Sequence, residues 1–246
     1  MQMKPPSQPA VPASAPFADR YFAFLGTPRM MDDGVARPPA GDRYIDLLRE
    51  VHAAYRPRFD LSACLAGTQP GFKGQVWFWS DLHFFHANVI KYCDRPFETA
   101  EAMNDTMLRN CLARVEAEDI LVFGGDITMS SVEATNELLC TIPGYKINVL
   151  GNHDIHKRRL LGLGVDETAA CLDVVYEGRQ LRLSHYPVSE PWLLPGETNV
   201  HGHIHNSALH PSVGDGSRHI NMSVEGTGYA PMLLGQLLSR GHHSYL

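Results

Sequence analysis

The stretch QVWFWSDLHFFHAN, residues 75 to 88, joins a short apolar run to a polar cluster that opens with Asp81 and His83. A run so short and so rich in aromatic residues reads as a buried strand. Working outward, Thr99 to Val115 sets Met103, Met107, Leu108, Cys111, Leu112 and Val115 at helical spacing. DILVFGGD (119–126) is then a second buried strand ending in a glycine turn, SVEATNELLCTI (131–142) a capped helix, and YKINVLGNHD (145–154) a third strand ending in polar residues. Strand and helix alternate, which argues for α/β layers. Each strand delivers a carboxylate, amide or imidazole at its carboxyl end, where open α/β sheets bind ligands.

The second half reads differently. LDVVYEG (172–178) and QLRLSHYP (180–187) flank a turn at Gly178-Arg179, TNVHGHIH (198–205) is a strand running into a loop, and HINMSVE (219–225) is a further strand. This predicts a mostly hairpin-built sheet packed against the first. Upstream, residues 1–17 are mostly Pro, Ala and Ser and read as a disordered tail. Between Asp42 and Arg56 the apolar residues Tyr44, Ile45, Leu47, Leu48, Val51 and Tyr55 share one helical face, which Pro57 stops. Residues 18–70 are therefore an amino-terminal extension with one helix, and 71–246 the main domain. The helix has nothing of its own to bury against, so its apolar face must cover the main domain or a second subunit, and could wall one side of a cleft.

Composition narrows the function classes. The 246 residues, 44% of them hydrophobic, suffice for one full core. A net charge of -6 with no long run of Lys or Arg disfavours nucleic acid or an anionic membrane surface as the partner. No stretch approaches the roughly 18 apolar residues of a membrane span, and MQMKPPSQPAVPASAPF has no apolar leader core. The five cysteines are scattered and free of C-x-x-C spacing, which speaks against a disulfide framework or a thiolate metal site and suits a reducing cytoplasm.

The chemistry resides in the strand ends. If the first strand persists through Asp81 and His83, two apart, both side chains leave on one face. Asp126 follows Gly124-Gly125, and a carboxylate on such a turn can bridge two cations. Gly151-Asn152-His153-Asp154 supplies an amide oxygen, an imidazole able to exchange protons and a carboxylate able to orient it. His185 in SHYP, with His203 and His205 again two apart in GHIH, adds three imidazoles. Each residue alone fits a packed histidine or a turn-capping aspartate. Burying all of them together is costly unless cations compensate.

In this order, D-x-H, G-D, G-N-H-D, H and G-H-x-H resemble the calcineurin-like metallophosphoesterases, from about Gln75 to Val224. The fuller text WFWSDLHFFHANVIKYCDRPF is similar to a small bacterial and phage branch of them. The resemblance implies a four-layer α-β-β-α sandwich with two packed mixed sheets. It implies one divalent ion (Mn, Fe or Zn) on Asp81, His83, Asp126 and His205, and a second on Asp126, Asn152, His185 and His203, with Asp126 bridging. His153 is the residue it implies for contacting the scissile phosphate and protonating the leaving oxygen. The activity implied is hydrolysis of a small phosphoester, foremost a nucleotide-like phosphodiester. A phosphomonoesterase or nuclease on the same site is the alternative, and a catalytically silent scaffold is opposed by the completeness of the motifs.

The match departs at one place. Protein Ser/Thr phosphatases extend the second motif as G-D-x-x-D-R-G, whereas Ile127, Thr128, Met129 and Ser130 follow Asp126 here. Met129 takes the place of the aspartate that orients the catalytic imidazole, which leaves Asp154 as the nearest candidate for that role. His86 and Asn88 are candidates for substrate contact or for a helix cap. Arg95 is one for a phosphate oxygen or for fixing the loop before Pro96. His201 reads as packing behind the ligands, and His52, His156, His210, His219, His242 and His243 as surface or packing residues.

Overall fold

Phe17 is only 2% exposed and already opens the first helix, α1 (Phe17–Leu25). The computed structural model describes residues 14–30, 36–37, 39–154 and 164–240, so the expected disordered tail lies outside the described residues up to position 13 and is corrected at its boundary. In α1 the residues Phe17, Tyr21, Phe24 and Leu25 recur at helical spacing and are all buried. A two-stranded ribbon follows, β1 (Arg29–Met30) antiparallel to β2 (Ala36–Arg37). Next comes α2 (Asp42–Ala54), the helix expected from the apolar periodicity, with Tyr44, Ile45, Leu47, Leu48 and Val51 buried. A short α3 (Leu61–Leu65) is capped by Asp60, whose carboxylate accepts from the N–H groups of Ser62 and Ala63. Among the described residues the extension thus carries three helices, not one.

The first sheet contains β3 (Val76–Trp79), β4 (Ile120–Phe123), β5 (Tyr145–Val149) and β6 (Glu167–Ala169), all parallel and adjacent in that order. The crossovers hold α4 (Ala87–Tyr92), α5 (Ala100–Leu112) and α6 (Val132–Thr141). Thr99 and Ser131 start the last two by accepting from the N–H groups of Ala102 and Ala134. The second sheet has the order β10 (His219–Asn221), β9 (Glu197–His201), β8 (Arg179–Ser184), β7 (Leu172–Tyr176). The chain then forms α7 (Val224–Thr227) and returns to the edge of the first sheet with β11 (Met232–Leu233), antiparallel to β3, before α8 (Leu234–Ser239).

Two expectations for the second sheet are corrected. Only β7 and β8 form a hairpin, and β8 with β9 and β9 with β10 pair in parallel. The segments between these strands are long enough to cross over, and strand patterning alone does not distinguish a crossover from a hairpin. The hairpin turn is Glu177-Gly178, one residue earlier than expected, with φ of 48° and 76°. That pair of positive φ values suits the right-handed twist of the flanking strands.

Alternation along the strands assigns the faces. Val76, Phe78, Ile120, Val122, Ile147 and Val149 of the first sheet meet Val174, Leu181, Leu183, Val200 and Ile220 of the second. On the opposite face Trp79, Leu121 and Phe123 pack with Met103, Met107 and Cys111 of α5 and Leu139 of α6. Burying each such side chain contributes roughly 1.5–3 kcal/mol. The fold is α/β with two mixed sheets and helices. Among the described residues, no helix is long and apolar enough to cross a membrane.

Candidate metal centre

Strands β3, β4, β5, β8 and β9 end side by side, and the residues following them converge. The convergence does not come from strand alternation, as expected for Asp81/His83 and His203/His205. β3 stops at Trp79 and β9 at His201. Beyond them Asp81 (φ 58°), His83 (51°), Asp126 (55°), His203 (71°) and His205 (52°) all adopt left-handed backbone. Non-glycine residues occupy that region seldom and cluster there at functional sites. Backbone hydrogen bonds hold the loops in place: Asp81 N–H donates to the Gly125 carbonyl (3.1 Å) and His83 N–H to that of Asp126 (2.9 Å). Glycine permits the closest approach, since a Cβ on Gly151 would run into the Asp126 carboxylate and one on Gly202 into that of Asp81.

Among the described residues three groups of possible ligand atoms occur, one of them Cys93, His205 and Glu225, and the other two each contain three residues of one expected set. Asp81, His83 and His205 offer donor atoms all within 4.8 Å of one another, and so do Asp126, His185 and His203. Asp126 lies between the groups, its Oδ2 being 3.6 Å from His83 Nε2 and 3.4 Å from His185 Nε2. Asn152 Oδ1 is 2.9 Å from His185 Nε2, which is 3.3 Å from His203 Nδ1. All seven residues expected to bind metal are therefore brought together.

Their supports are equally specific. The Asp81 carboxylate accepts from Ser80 Oγ (2.7 Å), Ser223 Oγ (2.9 Å) and the His203 N–H (2.9 Å). His185 Nδ1 faces the Gly124 carbonyl at 2.9 Å, which makes Nδ1 the protonated nitrogen and leaves Nε2 a lone pair directed into the pocket. His205 Nδ1 meets Glu225 Oε1 at 3.0 Å, freeing its Nε2 in the same way. Among the described residues, neither ring nitrogen of the buried His83 has a hydrogen-bond partner. An orphaned imidazole beside two carboxylates, with oxygen and nitrogen donors throughout, fits a divalent cation.

Burial and mutual charge shift the proton affinities of these groups. Burial raises the Asp126 pKa to about 7, with Asp154 and Asp81 adding to the rise and His185 opposing it. Burial, helped by His205 and Arg95, drives that of His83 far below the usual histidine range. Burial and His185 also lower His153, against Asp154. For His205 burial acts downward, yet hydrogen bonding with Cys93 and Glu225 lifts it to about 10.

One expected role is corrected, and of the two readings for Arg95 the structure carries the one that fixes a loop, not the phosphate contact. Asp154 does not orient the His153 ring: its carboxylate accepts from the N–H groups of Gly151 (2.9 Å), Asp126 (3.0 Å) and Ile127 (3.3 Å) and from Asn148 Nδ2 (3.2 Å). Arg95 does not face a substrate phosphate. Its guanidinium is buried and donates to the carbonyls of Asp81 (2.7 Å) and Leu82 (2.9 Å) while pairing with Glu225. His153 and His86 stay at the pocket, their rings 5.3 and 5.7 Å from that of His83, although His86 makes no side-chain cap on α4. Asn88 is exposed on α4. His201 is buried, with Nδ1 against the Gly202 carbonyl, and His219 packs with Nε2 on the Val188 carbonyl. His156, His242 and His243 lie outside the described residues. Sequence reasoning missed Glu225, which joins Arg95 to His205. An acidic residue just after Ser223 carried no spacing signal toward a histidine 20 positions earlier.

No family model matches the chain. Among solved structures it is similar to a protein of unknown function, AQ665 from Aquifex aeolicus, with a TM-score of 0.55 and 25% identity over 68% of this chain and 100% of that one. It is also similar to the uncharacterized protein MJ1445 of Methanocaldococcus jannaschii, being 33% identical over 174 residues, which are 68% of this chain and 93% of that protein. Identity at that level over nearly the whole archaeal protein places the chain in one family with MJ1445, and to that family it belongs.

Proposed function

We propose that the chain is a dinuclear metal-dependent phosphoesterase built as a calcineurin-like four-layer sandwich, and that it hydrolyses a small, nucleotide-like phosphodiester. The observation that carries this reading is the position of Asp126 between two groups of donors, within 3.6 Å of both His83 and His185. Asp81, His83, Asp126 and His205 would hold one ion, and Asp126, Asn152, His185 and His203 the other. Mn, Fe or Zn suits such oxygen and imidazole donors. Two divalent ions, when bound, supply Lewis acidity toward phosphoryl oxygens and lower the pKa of a water nucleophile.

The chain's own residues do the rest. Ser80, Ser223 and the His203 N–H fix both oxygens of Asp81, so this carboxylate cannot rotate away. Asp126 Oδ1 accepts from the His153 N–H at 2.9 Å, which ties the half-buried His153 to the ligand it stands beside. The half-buried His153 ring, next to that of His83, would hold a proton for the leaving oxygen. Arg95 and Glu225 are buried behind the ligands and stiffen the Asp81–His83 loop and His205.

The test is a hydrolysis screen of the metal-loaded protein against aryl mono- and diesters, cyclic nucleotides, dinucleotides and single-stranded nucleic acid. Metal-dependent turnover with diesters ranked first supports the proposal. A protein that binds two ions yet hydrolyses none of them overturns it, and preference for monoesters or polynucleotides replaces the substrate class.

A further inference from the structure

We propose that Tyr21 and Tyr44 of the extension are positioning residues for the pocket of Asp126, Asn152, His185 and His203; this rests on the metal reading above. Both rings are buried, on α1 and α2, far in sequence from any ligand. Their hydroxyls form a directed chain. The Tyr186 N–H donates to Tyr21 Oη (3.3 Å), the Tyr21 and Tyr44 hydroxyls bond to each other, and Tyr44 Oη donates to the Leu150 carbonyl (2.9 Å). A tyrosine hydroxyl can donate once while accepting, which is what such a chain requires of both residues.

The two ends of this chain are the roots of two ligand loops. Tyr186 follows His185 directly, and its ring lies 5.3 Å from that of His185 and 4.1 Å from that of His203. Leu150 precedes Gly151-Asn152-His153. Tyr44 also packs edge-on against Tyr186 at 5.7 Å. Tyr21, Tyr44, Leu48, Leu150, Tyr186 and Val188 share one apolar cluster, so the extension and the backs of both loops form a single packed unit. AQ665 and MJ1445 are matched over 100% and 93% of their lengths by 68% of this chain, so about a third of this chain has no counterpart in either alignment.

Tyr44→Phe keeps the ring and removes the donor to Leu150, leaving a buried carbonyl unpaired and one loop unanchored. Tyr21→Phe removes the acceptor of the Tyr186 N–H and so loosens the other loop at its root. Calorimetric titration of the metal-free full chain with Mn²⁺, alongside metal analysis and circular dichroism, reads the effect. Wild type should bind two equivalents. In either variant one equivalent should bind as in wild type and the other weaken roughly 10-fold or more, as for residues that orient metal ligands. Should Tyr44→Phe fail to fold, Tyr21→Phe carries the test alone. Two equivalents at wild-type affinity in a folded variant overturn the proposal, and so does equal weakening of both, which a general loss of stability would give. Wild type that binds no metal instead removes the metal reading on which the proposal stands.

Discussion

The Asp154 carboxylate accepts a 3.0 Å hydrogen bond from the backbone N–H of Asp126, a residue held at φ 55° between the two groups of donors. The same carboxylate takes the N–H of Gly151, whose lack of a side chain lets the β5 loop press against Asp126. Asp154 thus sets the distance between the loop carrying Asn152 and the loop carrying Asp126. Asp154→Asn would turn an amide N–H₂ toward donors that need an acceptor. We expect a loss of about 1–3 kcal/mol in denaturant unfolding, together with weaker binding of metal. A variant that keeps its stability and its metal but loses rate alone would return Asp154 to the role of orienting His153.

Asp126 itself should be the residue whose loss is felt in both pockets. Asp126→Ala is expected to lower metal content at both positions and abolish turnover without unfolding the chain. The scaffold around it is held by backbone bonds that the substitution leaves in place, such as that of His83 N–H to the carbonyl of residue 126. Metal analysis after gel filtration decides the matter, for two tightly bound equivalents in the variant contradict the shared role.

His153 separates binding from chemistry. Its ring is 5.3 Å from that of His83, and its backbone N–H, which a substitution retains, is what touches Asp126. His153→Ala should therefore keep both ions and lose roughly 10²–10⁴ in rate on esters with poor leaving groups. For nitrophenyl esters, whose leaving group needs no proton, the loss should shrink. Equal losses for good and poor leaving groups would remove the acid role.

What was legible in the sequence was whatever depends on residue type at short range. β3, β4 and β5 are apolar runs ended by glycine or polar residues, and α5 and α6 carry their own caps, Thr99 and Ser131. The seven candidate ligands were found because their types are costly to bury without compensation, whatever the backbone does. What was not legible depends on direction. Spacing of two suggested alternation for Asp81/His83 and His203/His205, but positive φ at all four positions aims them instead, and nothing in a non-glycine residue announces it. Asp154 is next to His153 in sequence, yet its side chain turns back to the β4 and β5 loops. α1 was obscured because Pro16 and the Ala/Pro-rich text before it end only one residue before its first buried aromatic ring, Phe17. Glu225 meets His205 only through the return of the chain from β10 into α7.

The extension also predicts how acid should act on the fold. Arg20 of α1 reaches Glu197 of β9 at 2.9 Å, and Arg182 of β8 reaches it at 2.8 Å, with the Glu197 side chain fully buried. Burial alone would raise the Glu197 pKa. Hydrogen bonds from Arg20, the Leu194 N–H and Arg182, with the charge of Arg182, outweigh it and hold the carboxyl below its usual range. A folded-state pKa below the unfolded one means that stability is contributed above the ordinary carboxylate range and lost as pH falls through the lowered value. Glu197→Gln should cost about 3–5 kcal/mol at pH 7, the usual consequence of leaving buried guanidinium groups without their partner. The gap between wild type and variant should stay constant down to about pH 5 and close below the ordinary glutamate pKa of about 4.3, as wild type takes up the proton that the variant lacks. Urea unfolding of both proteins from pH 7 to pH 3 measures it. A gap that does not narrow in acid would mean that the carboxylate's charge does not hold α1 on the second sheet, and that apolar packing around Phe17, Tyr21 and Trp192 does so alone.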